Sequence, residues 1–172
     1  VIPREAISEE NRTVDLAFAT ESPVERWGCV EILDCKPKSV RLERLKSRAP
    51  LLMDHNNRDQ VGVIESATID KDKIGRVSTR FSRSERGSEV FQDVVDEIHT
   101  CISVGYVIHE VVLEKEADGV ATYRVTDWEP YEVSIVSMPA DINCGVGRSL
   151  EEPAGPTEQQ TKETRTMNKC TH

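Results

Sequence analysis

The sequence predicts an α+β, mostly β domain with a barrel-like architecture, and three observations lead there. Apolar residues recur at period two in several short segments. A single segment has clear helical spacing. The 172 residues, 37% of them hydrophobic, are enough for one domain with a buried core and a polar tail.

Residues 13–20 put Val14, Leu16 and Phe18 on one side and Asp15, Ala17 and Ala19 on the other, as a half-buried strand requires. Residues 30–33 and 51–53 read as short strands, with a short helix expected around residues 40–45. Residues 62–69 and 76–81 form a hairpin across the polar loop Asp70-Lys71-Asp72-Lys73-Ile74-Gly75. From Ser88 the spacing changes. Val90, Phe91, Val94, Val95 and Ile98 share one helical face, with Asp93, Asp96 and Glu97 on its wet side. Residues 102–113 return to β-type content, Gly119 marks a turn, and residues 121–128 and 133–136 supply two more strands with Pro130 between them. The apolar pattern stops after Gly147. Residues 1–148 are therefore expected to form the domain. Residues 149–172, with Pro153, Gly155 and Pro156 and almost no aliphatic side chains, are expected to be a tail or linker.

Composition narrows the chemistry. Twenty-two Lys and Arg against 31 Asp and Glu give a net charge of −9, which speaks against nucleic acid as the main partner, because phosphate binding relies on clustered cations. The one dense basic stretch, residues 36–48, is broken by Pro37 and Glu43. No apolar run approaches the ~20 residues of a bilayer-spanning helix, so no membrane partner is expected. The five cysteines include no CxxC pair, so neither a disulfide framework nor a zinc ribbon is indicated, and a reducing compartment is expected. There is no GxxxxGK loop, no dinucleotide fingerprint, no HExxH, no Asp-Thr/Ser-Gly and no Gly-x-Ser-x-Gly. No cofactor is expected.

Three clusters remain. Leu51-Leu52-Met53-Asp54-His55-Asn56-Asn57 is an apolar strand ending in a polar turn, a rigid mount for an imidazole that takes and returns a proton near neutrality. In residues 99–109 strict alternation puts Ile102, Val104, Tyr106 and Ile108 on a core face and Cys101, Ser103, Gly105 and Val107 on the other. Ser103 beside Gly105 suits a nucleophile that a substrate backbone approaches closely, and Cys101 on the same face is a weaker rival. In Asp127-Trp128-Glu129-Pro130-Tyr131-Glu132-Val133-Ser134, Glu132 points away from the Val133 and Ile135 core face and is placed to orient an imidazole. Each cluster also has an ordinary reading, as a surface turn, an exposed strand serine and an ion-pair partner. Metal ligation by His55, His99, His109, Cys29, Cys35, Cys101 and Cys144 competes, but their spacings match no compact site.

Together the clusters resemble the prohead maturation serine proteases of tailed bacteriophages. The resemblance lies in Asp54-His55-Asn56 after an apolar strand, in Ile102-Ser103-Val104-Gly105-Tyr106, and in Tyr131-Glu132-Val133-Ser134-Ile135-Val136-Ser137-Met138-Pro139-Ala140-Asp141. It extends through Pro23-Val24-Glu25-Arg26-Trp27-Gly28, Phe81-Ser82-Arg83-Ser84-Glu85-Arg86-Gly87 and Gly145-Val146-Gly147-Arg148, and so covers residues 10–148. That family is similar to the herpesvirus assemblins, which implies a closed or partly closed antiparallel β-barrel with flanking helices. The resemblance implies Ser103 as nucleophile, His55 as general base and Glu132 as third member, with Asp127 and Glu129 as neighbouring alternatives and Arg148 as an aid to the oxyanion. It also implies a serine endopeptidase that cleaves scaffold segments of the capsid protein, and itself, during procapsid maturation. Its partners would be the major capsid protein, that protein's scaffold segment and other procapsid proteins, with a homodimer compatible. Its location would be the procapsid interior in the host bacterial cytoplasm. Two alternatives stand beside this reading: a non-catalytic procapsid scaffold or binding module, and a metal-dependent hydrolase using His55 with Asp54 or Asp59.

Overall fold

The computed structural model describes residues 4–147, so Arg148 and the expected tail lie outside the described residues. After a 3-10 turn at Arg4–Ala6 come β1 (Ile7–Ser8), β2 (Thr13–Ala19), β3 (Val24–Arg26), β4 (Cys29–Leu33) and α1 (Glu43–Lys46). They are followed by β5 (Pro50–Met53), β6 (Asn56–Ile69), β7 (Gly75–Phe81), α2 (Glu85–Val95), β8 (Ile102–Ala117), β9 (Val120–Ile135) and β10 (Gly145–Val146). The protein is mostly β. Its strands form one sheet in the order β1-β2-β7-β6-β5-β9-β4-β3, with β10 on β2 and β8 on β9.

The expectation of a closed or partly closed antiparallel barrel with flanking helices holds in part, and the sheet departs from a closed antiparallel barrel in two ways. First, β4 and β5 both run parallel to β9, pairing at Cys29↔Ala121 through Leu33↔Val125 and at Leu51↔Val133 through Met53↔Ile135. These two short strands lie end to end along one side of β9, and the crossover carrying α1 returns the chain to start β5 in the same direction. Second, the sheet is not closed. Between β8 and β10 there is only the isolated bridge Cys101↔Gly145, with Val146 N–H donating to the Thr100 carbonyl at 3.1 Å.

Several element boundaries shift for local reasons. Helix α2 begins at Glu85 rather than Ser88, because the Ser84 side chain caps it by accepting from Gly87 N–H. The helix buries Val90, Phe91 and Val94 and stops before Ile98, which is 69% exposed. Pro130 does not separate two strands. Strand β9 runs through it where the register with β8 slips from Gly105↔Glu132 to Tyr106↔Pro130, leaving Tyr131 as the extra residue of a bulge. Beyond that slip β8 leaves the core, so Ile108 is exposed instead of sharing the buried face of Ile102. In β2, Ala17 and Ala19 are buried along with Leu16 and Phe18, since β7 and β10 flank the strand.

The core gathers Val14, Leu16, Phe18, Leu51, Ile64, Val77, Phe81, Val90, Ile102, Val125, Val133 and Ile135 around Trp128. Trp128 is fully buried; its indole N–H donates to the Asp34 carbonyl at 3.1 Å, and its ring packs edge-on against Phe18 and Tyr106.

Candidate active site

Three neighbouring strands build the site. Strand β9 lies between β5 and β8, with Ser134 paired to Leu52 on one side and to Ser103 on the other. Glu132 and Ser134 are two apart on β9 and therefore share a face. His55 follows β5 in the two-residue turn between Met53 and its partner Asn56. Both turn residues have positive φ, +47° at Asp54 and +57° at His55, as the hairpin turn that suits sheet twist requires. Neither residue is glycine, so the turn stores backbone strain. Backbone bonds hold it: Asp54 N–H donates to the Ile135 carbonyl at 2.9 Å, and His55 N–H to Ser134 Oγ at 3.1 Å.

From this turn the imidazole reaches across β9. His55 Nδ1 lies 2.6 Å from Glu132 Oε1, and His55 Nε2 lies 3.0 Å from Ser103 Oγ. An ionised carboxylate only accepts, so Nδ1 carries the proton and Nε2 is left to accept from the Ser103 hydroxyl. Glu132 is 4% exposed, whereas the His55 side chain is 44% exposed. The acid is thus shielded from water and the imidazole is open to an incoming molecule. Serine, imidazole and carboxylate stand in one hydrogen-bonded series.

Gly105 has a different role from the one its position beside Ser103 suggested. It is paired with Glu132, and a Cβ built on it would sit 2.2 Å from Glu132 Oε1 and 2.8 Å from the Tyr131 ring. The space left by the missing side chain holds the carboxylate, not a substrate backbone. The Tyr131 bulge belongs to the same arrangement, because it sets the strand register at the residue that carries the acid.

The alternatives to Glu132 are engaged elsewhere. Asp127 makes a two-pronged pair with Arg41, whose hydrogen bond holds that carboxyl below its usual range, and Glu129 lies 3.1 Å from His109 Nε2. Cys101 sits at the bridge to β10, and neither His55 ring nitrogen is bonded to it. For the metal alternative, Asp59 pairs with Arg86 at 3.0 Å, and Asp54 Oδ1 accepts from Ser137 N–H at 3.4 Å. Among the described residues no three His, Cys, Asp or Glu side chains group as metal ligands would.

Ser103 and His55 open onto a cleft of about 960 Å³. Its walls include Arg44, stacked 5.3 Å from the centre of the Tyr131 ring, and Tyr106. Burial first, and the bond to Glu31 second, push the Tyr106 hydroxyl up to about 12, so it stays a donor. Met138, 89% exposed, stands on the rim. Ser134, Tyr131 and Arg44 were not singled out from the sequence. For Ser134 a signal was present, since alternation alone puts it on the face of Glu132.

An alcohol hydrogen-bonded through an imidazole to a buried carboxylate is the arrangement that serine hydrolases use. The family model for the caudovirus prohead serine protease matches residues 34–154, a span that includes Ser103, His55 and Glu132. The chain belongs to the caudovirus prohead serine protease family. It is also 41% identical over 140 residues to a major capsid protein of Halomonas phage phiHAP-1. That match covers 80% of this chain but 23% of the capsid protein, so the chain spans about a quarter of that relative's length. No solved structure matches it.

Proposed function

We propose that the chain is a serine endopeptidase of procapsid maturation, with Ser103 as nucleophile, His55 as general base and Glu132 as the residue that orients and stabilises the imidazolium. The observation that carries this reading is the series Ser103 Oγ, His55 Nε2, His55 Nδ1 and Glu132 Oε1, at 3.0 and 2.6 Å and open to the cleft. His55 takes the Ser103 proton as the oxygen attacks a peptide carbonyl, then returns it to the leaving amine. Water, activated by the same imidazole, hydrolyses the acyl-enzyme. The buried carboxylate favours the imidazolium in each half. The order His, Ser, acid along the chain differs from the trypsin, subtilisin and α/β-hydrolase orders, in keeping with a protease fold of its own.

Capsid protein is the substrate in this proposal, specifically its scaffold segment, and the reaction takes place inside the procapsid in the host bacterial cytoplasm. The match to a major capsid protein supports it, because protease-like sequence and capsid protein then share one polypeptide in that relative. Cleavage of the chain itself within residues 149–172 is part of the same reading. The test is a fluorophosphonate probe together with intact-mass measurement. Wild-type chain should be labelled at Ser103 and should trim capsid protein and its own C-terminus, and Ser103→Ala should do none of these. Labelling that persists in Ser103→Ala would sink the proposal.

A further inference from the structure

The hydrogen bonds around His55 do not end at Glu132. Ser134 faces Ser103 across the β8–β9 ladder and has no exposed surface. Its Oγ accepts the His55 backbone N–H at 3.1 Å, and its O–H donates to Glu132 Oε2 at 2.7 Å. The directions are forced, because an amide N–H can only donate and an ionised carboxylate can only accept. With Glu132 Oε1 on His55 Nδ1, the bonds form a ring from the His55 backbone through Ser134 and Glu132 back to the His55 imidazole.

This ring constrains the rotation of the carboxylate and adds to the Asp54 N–H bond to Ile135 in holding the turn. The terminal torsion of a glutamate is broad, so a carboxylate held by one oxygen still rotates. Ser134 takes Oε2 and leaves Oε1 directed at the imidazole. The turn at Asp54 and His55 is strained, and the bond from His55 N–H to Ser134 ties that turn to the strand that carries the acid. We infer that Ser134 is a positioning residue: one buried hydroxyl sets the Glu132 carboxylate and the His55 backbone relative to each other, so that His55 Nε2 faces Ser103. The inference rests on the roles proposed above for Ser103, His55 and Glu132. Ser134 is not itself placed to attack a substrate, since it is sealed from the cleft and its hydroxyl is engaged on both sides.

The test is a double-mutant cycle on the full chain, read as the rate of fluorophosphonate labelling and as kcat and KM on a capsid-derived peptide. Assays are run below each variant's melting temperature. Ser134→Ala should lower the labelling rate and kcat by roughly 10- to 100-fold, the range that loss of orientation brings, and change KM by less than about threefold because the residue touches no substrate. In a Glu132→Gln background the same substitution should cost less than about threefold, since the carboxylate that Ser134 orients is absent there. Ser134→Cys, which keeps the size but bonds weakly, serves in both backgrounds if the alanine variant does not fold. A rate within about threefold of wild type overturns the inference, as does a loss that multiplies in full with Glu132→Gln. If Ser103→Ala is labelled as fast as wild type, the underlying assignment falls and the inference falls with it. If Ser103→Ala is silent and Ser134→Ala is normal, only the inference falls.

Discussion

Gly105 shows how strongly a single atom constrains the site. A methyl group there would lie 2.2 Å from Glu132 Oε1, inside any attainable contact distance, so Gly105→Ala must push the carboxylate or the Tyr131 ring aside. Overpacking of this kind costs about 1–3 kcal/mol of stability, and an imidazole misplaced by an ångström costs on the order of 100-fold in rate. Thermal melts and labelling rates of Gly105→Ala should therefore both fall, the rate much more. Glu132→Gln tests the acid without changing its volume. In the proposed mechanism the amide loses the charge that would stabilise the imidazolium, and it can present its N–H₂ to Nδ1, favouring the wrong tautomer. A fall in kcat approaching ~10⁴-fold is expected, with the melting temperature far less affected than the rate.

Secondary-structure elements place these residues through pairing and capping. Helix α2 leans on Phe81 of β7 through Phe91, whose ring centre lies 5.2 Å away, and its first turn depends on Ser84. Ser84→Ala should cost about 1 kcal/mol in urea unfolding, the usual value of a lost N-cap, and leave labelling of Ser103 unchanged, since α2 contributes no residue to the cleft. The Pro130 passage in β9 shows the converse. Proline lacks the donor that a regular ladder needs, which is why the sequence reads as two strands with a break. The slip beside Gly105 absorbs that defect, and the residue it adds, Tyr131, adjoins Glu132. An apparent interruption is thus continuous in space and lies next to the candidate acid.

Across the whole molecule, Trp128 links β2 and β8, which are far apart in the order of the sheet. It lies on β9 within reach of Phe18 from β2 and Tyr106 from β8, with no exposed surface. Trp128→Ala should lose roughly 3–5 kcal/mol in denaturant unfolding, a large part of the ~5–15 kcal/mol by which domains are stable. The far end of the β8–β9 hairpin behaves differently. There Val107, Ile108, Val111, Val112 and Leu113 are exposed, interspersed with Glu110, Glu114, Lys115 and Glu116. Charges along an exposed edge discourage pairing with other strands. The sheet stays open because the chain meets β10 at the single bridge of Cys101, just ahead of β8, and β8 then departs from the core.

Much of this was legible in the amino-acid order because it depends on local periodicity. Alternation at residues 13–20 marks a strand wherever it packs, the polar loop between residues 62–69 and 76–81 marks a hairpin, and the spacing from Val90 marks a helix with a dry face. The turn bearing His55, the Ser103 strand and Glu132 could likewise be named, since each combines a reactive group with a rigid mount. Their convergence was implied by the family resemblance but could not be read from local pattern, because it depends on which strands become neighbours. Parallel pairing of β5 with β9, the bulge at Tyr131 and the space left by Gly105 all involve residues far apart along the chain, and no local pattern encodes them. Sequence by itself determined the strand-rich class and the inventory of reactive side chains. Tertiary structure alone decided that an imidazole from one strand end would cross a central strand to join a hydroxyl and a buried carboxylate, because that proximity is a property of packed neighbours rather than of chain order.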